Sequence, residues 1–92
     1  ELLVETVLRH VGDRSARIVD VGTGSGCIAV AIAKNAPRAQ MFATDVSMEA
    51  LVIAGGNVAR NRLSGFVALY QGDLLGPVKG FAPFEVIVSN PP

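Results

Sequence analysis

The chain has 92 residues, half of them hydrophobic and 17% charged, with eight basic residues balanced by eight acidic ones. That length admits one domain with a small core, and the composition is the opposite of a disordered chain's. Zero net charge leaves no electrostatic footprint for a nucleic acid or an anionic membrane, and a lone cysteine excludes a disulfide framework or a cysteine-based zinc site.

In chain order, Leu3, Val4, Val7, Leu8 and Val11 fall at helical spacing, with Glu1 and Glu5 early and Gly12 as a stop. A β-branched run over residues 18–21 then breaks into glycines. After Gly26, the alanine-rich segment 27–36 is apolar on nearly every face and reads as a buried helix ended by Pro37. Its apolar run, Cys27 to Ala33, is seven residues long, where a membrane span needs about twenty. Cys27 is expected to pack as a small apolar side chain, and His10 to lie on the surface.

A second strand, residues 41–45, ends in Asp45. Ser47 can cap the next helix, whose apolar stripe is Leu51, Ala54, Val58 and Leu63, and Gly65 closes it. Gly55-Gly56 interrupts that helix with two poor helix formers, each costing roughly 1 kcal/mol relative to alanine. Residues 66–70 form a third strand leading to Gly72-Asp73. The glycine- and proline-rich segment 76–83 reads as a surface loop, and residues 84–88 as a fourth strand ending at Ser89-Asn90-Pro91-Pro92. Continuously apolar strands alternating with helices predict an α/β fold, a doubly wound parallel sheet covered on both faces. No basic stretch leads into an apolar one at the start of this sequence, so no secretory signal is expected within it. Starting without methionine and stopping after an apolar run, the chain is expected to be a piece of a longer protein, whose fourth strand would present an open edge.

In such a sheet, ligands bind beyond the carboxyl ends of the strands, and that is where the polar groups fall. Asp20-Val21-Gly22-Thr23-Gly24-Ser25-Gly26 places glycines at 22, 24 and 26, a spacing that differs from the dinucleotide fingerprint G-x-G-x-x-G. Glycines there allow a sharp bend and close approach of a ligand, and the acid before them suits an ammonium group. Asp45 can accept two hydrogen bonds from a ribose diol. Asp73 can accept from an adenine amino group, or serve as a turn aspartate. Asn90-Pro91-Pro92 forms a stiff corner whose Asn90 side-chain oxygen and Pro91 carbonyl can grip both hydrogens of a planar NH2 group.

These residues resemble the class I S-adenosylmethionine-dependent methyltransferases, in DVGTGSG, Asp45 and SNPP. More narrowly, ELLVE, VDVGTGSGCIAVAIAK, ATDVSMEAL, NVARN, GDLL and FEVIVSNPP together resemble the HemK-type peptide chain release factor glutamine methyltransferases, over essentially the whole chain. The resemblance implies a Rossmann-like doubly wound sheet truncated after the fourth strand, with residues 1–92 as the N-terminal part of the methyltransferase domain. It implies methyl transfer from S-adenosyl-L-methionine to the glutamine amide of a release factor's Gly-Gly-Gln motif. Asp20, Gly22, Thr23, Gly24, Ser25 and Gly26 would hold the methionine end of the cofactor, Asp45 the ribose, and Asp73 with Leu74 the adenine. Asn90 would also border the cofactor, and with Pro91 and Pro92 would hold the substrate amide. A release factor is the implied partner and the cytoplasm the implied location, without membrane, metal or nucleic acid. Three other readings stay open: a methyltransferase acting on a nucleobase amino group of DNA or rRNA, a nicotinamide-binding Rossmann domain, and a fragment without activity of its own.

Overall fold

The computed structural model describes residues 2–73 and 75–89, so the expectations resting on Leu74, Asn90, Pro91 and Pro92 lie outside the described residues. The elements run α1 (Leu2–Val11), β1 (Arg17–Val21), α2 (Cys27–Asn35), β2 (Gln40–Asp45), α3 (Met48–Arg60), β3 (Val67–Gln71), a 3-10 helix (Gly76–Phe81) and β4 (Val86–Ser89). Helix ends follow the local chemistry. Gly12, at a φ of +56°, closes α1 by donating to the Leu8 carbonyl at 2.9 Å. Ser47 caps α3 through its Oγ, which accepts from the Ala50 N–H at 3.1 Å.

The four strands are parallel in the order β3-β2-β1-β4. The chain steps outward from β1 to β2 and β3, then returns to the other side of β1 for β4. The order therefore reverses between β1 and β4, and ligands of open α/β sheets lie at the carboxyl end of such a reversal.

Alternation along the strands divides the apolar residues between two faces. Ile18, Met41, Ala43, Val67 and Val88 join Val4, Val7, Ala29, Ile32 and Val58 in the main core, so α1, α2 and α3 share one face. Val19 and Phe42 point the other way, where Val78 of the 3-10 helix is fully buried against them. Phe81, tilted, and Phe84, edge-to-face, pack around Phe42 with ring centroids 4.9 and 5.6 Å away. The β3-to-β4 connection thus crosses the face opposite the helices, as the doubly wound arrangement requires.

The structure departs from the sequence reading in five places. Segment 76–83 is not simply a surface loop, because Val78 anchors a 3-10 helix in the second core. The third strand begins at Val67, leaving the Phe66 ring exposed, and the fourth begins at Val86, because Phe84 is recruited by the aromatic cluster. Coverage on both faces holds for β1 and β2 but not for β3 and β4, which are the sheet edges; Ile87 is 54% exposed. Cys27 is exposed rather than packed, with its Sγ 3.0 Å from the Ser25 Oγ. His10 is exposed, as expected.

Candidate functional site

The glycine turn between β1 and α2 is built on left-handed backbone. Gly22, Gly24 and Gly26 have φ values of +72°, +58° and +82°, which L side chains rarely adopt. A Cβ added at Gly22 or Gly24 would meet nothing within 4 Å, so the turn shows bare backbone to open space. Gly26 differs: a Cβ there would stand 3.0 Å from the Ala54 Cβ, so α3 lies directly against the turn.

The turn is also sewn to the end of β2. The N–H groups of Gly22 and Thr23 both donate to the Thr44 carbonyl at 2.9 Å, and the Gly24 N–H donates to Asp45 Oδ2 at 2.9 Å. The other carboxylate oxygen, Oδ1, accepts from the Ser47 N–H at 2.9 Å. Asp45 therefore links the glycine turn to the N-cap of α3. Each of its oxygens has accepted one hydrogen bond and keeps a lone pair for another. Three successive amides of the turn are spent on β2, which makes it unlike a phosphate-binding loop, whose amides face the ligand.

Beneath the turn lies Asp20, 1% exposed. Its Oδ2 accepts from the Thr23 Oγ1 at 2.8 Å, while its buried Oδ1 has no hydrogen-bond partner among the described residues. Burial pushes the Asp20 carboxyl above its ordinary pKa; the Thr23 hydroxyl pulls it back, and the Asp45 charge adds to the rise. The site thus gathers two carboxylates, one of them with an orphaned oxygen, and among the described residues no basic side chain is hydrogen-bonded to either. A cation nearby would relieve both.

Asp20, Thr23, Gly24 and Asp45 are brought together by hydrogen bonds, with Gly22, Ser25 and Gly26 in the same turn. Asp73 stands at the same end of the sheet, two residues past Gln71, the register partner of Asp45. It is exposed, and its carbonyl accepts from the Gly76 N–H at 3.1 Å, a turn role at least. Sequence reasoning missed Asn57 of α3, whose Nδ2 donates to the Ser25 carbonyl at 2.7 Å. Its signal was present in the NVARN segment, which carried no role there. A cleft of about 500 Å³ bordered by Arg17, Gln40, Phe66 and Phe81 opens at the amino ends of the strands, away from this chemistry. No group of acidic, histidine or cysteine side chains suited to a metal occurs among the described residues. Among the described residues, no helix is long and apolar enough to cross a membrane.

The chain belongs to the methyltransferase small domain family, whose model matches residues 1–92. Among curated proteins it is 46% identical over 90 residues to the release factor glutamine methyltransferase of Rhodopirellula baltica, covering 97% of this chain and 30% of that protein. It is 45% identical to the release factor glutamine methyltransferase of Bordetella pertussis, covering 100% of this chain and 34% of the other. The chain therefore spans about a third of the length of the curated relatives it matches. Among solved structures, ribosomal protein L11 methylase from Lactobacillus delbrueckii subsp. bulgaricus superposes with a TM-score of 0.80 at 32% identity. That match covers 97% of this chain and 44% of that one.

Proposed function

We propose that residues 1–92 form the N-terminal part of an S-adenosyl-L-methionine-binding domain, in an enzyme that methylates the glutamine amide of a peptide chain release factor. One observation carries the cofactor assignment. The glycine turn has spent the amides of Gly22, Thr23 and Gly24 on β2, while Asp20 beneath it keeps a buried acceptor without a partner among the described residues. Such a turn favours a cationic ligand end over a pyrophosphate, which supports S-adenosylmethionine over a nicotinamide dinucleotide. Asp45, with one lone pair left on each oxygen, is placed to accept from a ribose diol. Asp73 and Leu74 would border the adenine.

When bound, the cofactor supplies an electrophilic methyl group on a sulfonium. An amide nitrogen is a weak nucleophile, because its lone pair is delocalised into the carbonyl. In this reading the Asn90 side-chain oxygen and the Pro91 carbonyl accept the two amide hydrogens, with Pro92 stiffening the corner. They orient the nitrogen and stabilise positive charge as it develops there. So held, the nitrogen would face the cofactor's methyl group and would shed one proton to solvent once methylated. The names of the curated relatives support the release factor as substrate. The same reading carries a cytoplasmic location, in keeping with a single exposed thiol.

Two measurements test it. Calorimetry on the full-length protein is expected to show binding of S-adenosyl-L-methionine and not of NAD; the reverse preference overturns the cofactor assignment. Labelled methyl groups are expected to appear in a release factor and not in DNA or rRNA. Label in nucleic acid alone would transfer the reading to a nucleobase amino group.

A further inference from the structure

We infer that Asn57 is a positioning residue that sets cofactor affinity by holding the glycine turn in one peptide orientation. The inference rests on the reading of that turn as the cofactor site. Gly24 and Gly26 are both left-handed, and the Ser25–Gly26 peptide lies between them. Rotating that peptide plane changes the backbone angles on its two sides together, ψ of Ser25 and φ of Gly26. Glycine tolerates either sign of φ, so Gly26 by itself does not select the orientation. The Asn57 side chain does so together with the Gly26 N–H: its Nδ2 donates to the Ser25 carbonyl at 2.7 Å, while the N–H of the same peptide donates to the Thr23 carbonyl at 3.0 Å.

The donor is itself held in place. The Asn57 Oδ1 accepts a short hydrogen bond from Arg60, which leaves the NH2 end of the amide for Ser25. The Asn57 carbonyl accepts from the Asn61 Nδ2 at 2.8 Å, and the Asn61 Oδ1 accepts from the Lys34 Nζ at 3.1 Å. This chain of polar contacts runs from the last turn of α2, through the end of α3, to the glycine turn. Ala54, one helical turn before Asn57, fixes the spacing: a Cβ on Gly26 would stand only 3.0 Å from its side chain. The helix is thus seated against the turn at Ala54 and bonded to it at Asn57. None of these contacts reaches the open side of Gly22 and Gly24 where a ligand would lie.

The test compares wild-type full-length protein with Asn57→Ala, Asn57→Asp and Asn61→Ala. Asn57→Asp keeps an acceptor for Arg60 but removes the donor to Ser25, so it separates turn positioning from helix integrity. Both Asn57 variants are expected to bind S-adenosyl-L-methionine roughly 3- to 10-fold more weakly by calorimetry, the population shift one hydrogen bond controls. The cofactor KM should rise by the same factor, with kcat at saturating cofactor and the acceptor KM unchanged. Amide hydrogen exchange at Gly26 and Cys27 should accelerate in the ligand-free variants. Asn61→Ala should leave the cofactor affinity within twofold of wild type. Unchanged affinity in Asn57→Asp, or an equal loss in Asn61→Ala, overturns the inference. A wild-type protein that does not bind the cofactor overturns the underlying reading instead.

Discussion

The Gly24 N–H donates to Asp45 Oδ2 across 2.9 Å, so the turn after β1 and the acid ending β2 are one hydrogen-bonded unit. The contact joins residues 21 apart in sequence, and it means that Asp45 shapes the site before it binds anything. Asp45→Ala removes the acceptor for both Gly24 and Ser47. It is expected to weaken S-adenosylmethionine binding at least about 10-fold and to destabilise the fold by about 1–2 kcal/mol. Calorimetry and urea unfolding check the two effects. Wild-type affinity in this variant contradicts the role assigned to Asp45.

Asp20 stands where ligand binding and stability pull apart. Its pKa is raised by burial above the ordinary 3.8, against the opposing Thr23 hydrogen bond and with added repulsion from Asp45. A folded-state value above the unfolded one means that the favourable contribution is full below about 3.8 and is lost as pH rises through the folded value. At neutral pH the ionised group therefore weighs against folding. Asp20→Asn should stabilise the ligand-free protein by about 1 kcal/mol at pH 7, with the gain shrinking as pH falls. Cofactor affinity should drop in the same variant. Urea midpoints at pH 7 and pH 5 test this; a less stable variant at pH 7 contradicts it.

Two glycines are held by their surroundings as well as by backbone angle. A Cβ at Gly72 would overlap the Pro77 Cγ at 2.2 Å, with φ at +152°. Gly72→Ala is therefore expected to cost about 2 kcal/mol or more by displacing the 3-10 helix from the second core. Gly26→Ala presses on Ala54 and adopts a left-handed φ, so it should lower both stability and cofactor affinity. Near-ultraviolet circular dichroism separates the cases: Gly72→Ala should loosen the aromatic cluster around Phe42, while Gly26→Ala should not.

Gly55 gives the opposite expectation. It lies inside α3, and a Cβ there would make ordinary contact with the Leu69 Cδ1 at 3.7 Å. Gly55→Ala should raise stability by about 1 kcal/mol through helix propensity alone. A lower unfolding midpoint would show that the apparent space is not available.

Much of the fold was legible because each strand-and-helix unit declares itself locally. Gly12, Ser47 and the glycines at 22, 24 and 26 act where their residue types require. The buried stripe of Leu51, Ala54, Val58 and Leu63 fell where the periodicity indicated. Segment 76–83 was less legible, because its glycines and prolines signal a loop while one valine decides the packing. Cys27 was misread because composition cannot tell which side of an all-apolar helix faces water. The site's residues were visible, but their bonding was not. That Gly24 spends its amide on Asp45, and that Asn57 reaches the Ser25 carbonyl, depends on how α3 settles across the sheet.

The reversal of strand order beside β1 also sets the order in which this chain can assemble. From β1 to β3 each strand pairs with its predecessor after a single helix, so those contacts close short loops. The contacts that seat β4 do not: the Arg17 N–H meets the Glu85 carboxylate across 68 residues of sequence. Loop-closure entropy and the emergence of the chain from the ribosome both delay that step. The turn and Asp45 can be in place while the other side of β1 is still bare. On the proposed reading, the cofactor half of the site would thus form early in folding, and β4 would dock after β1, β2 and β3 have paired.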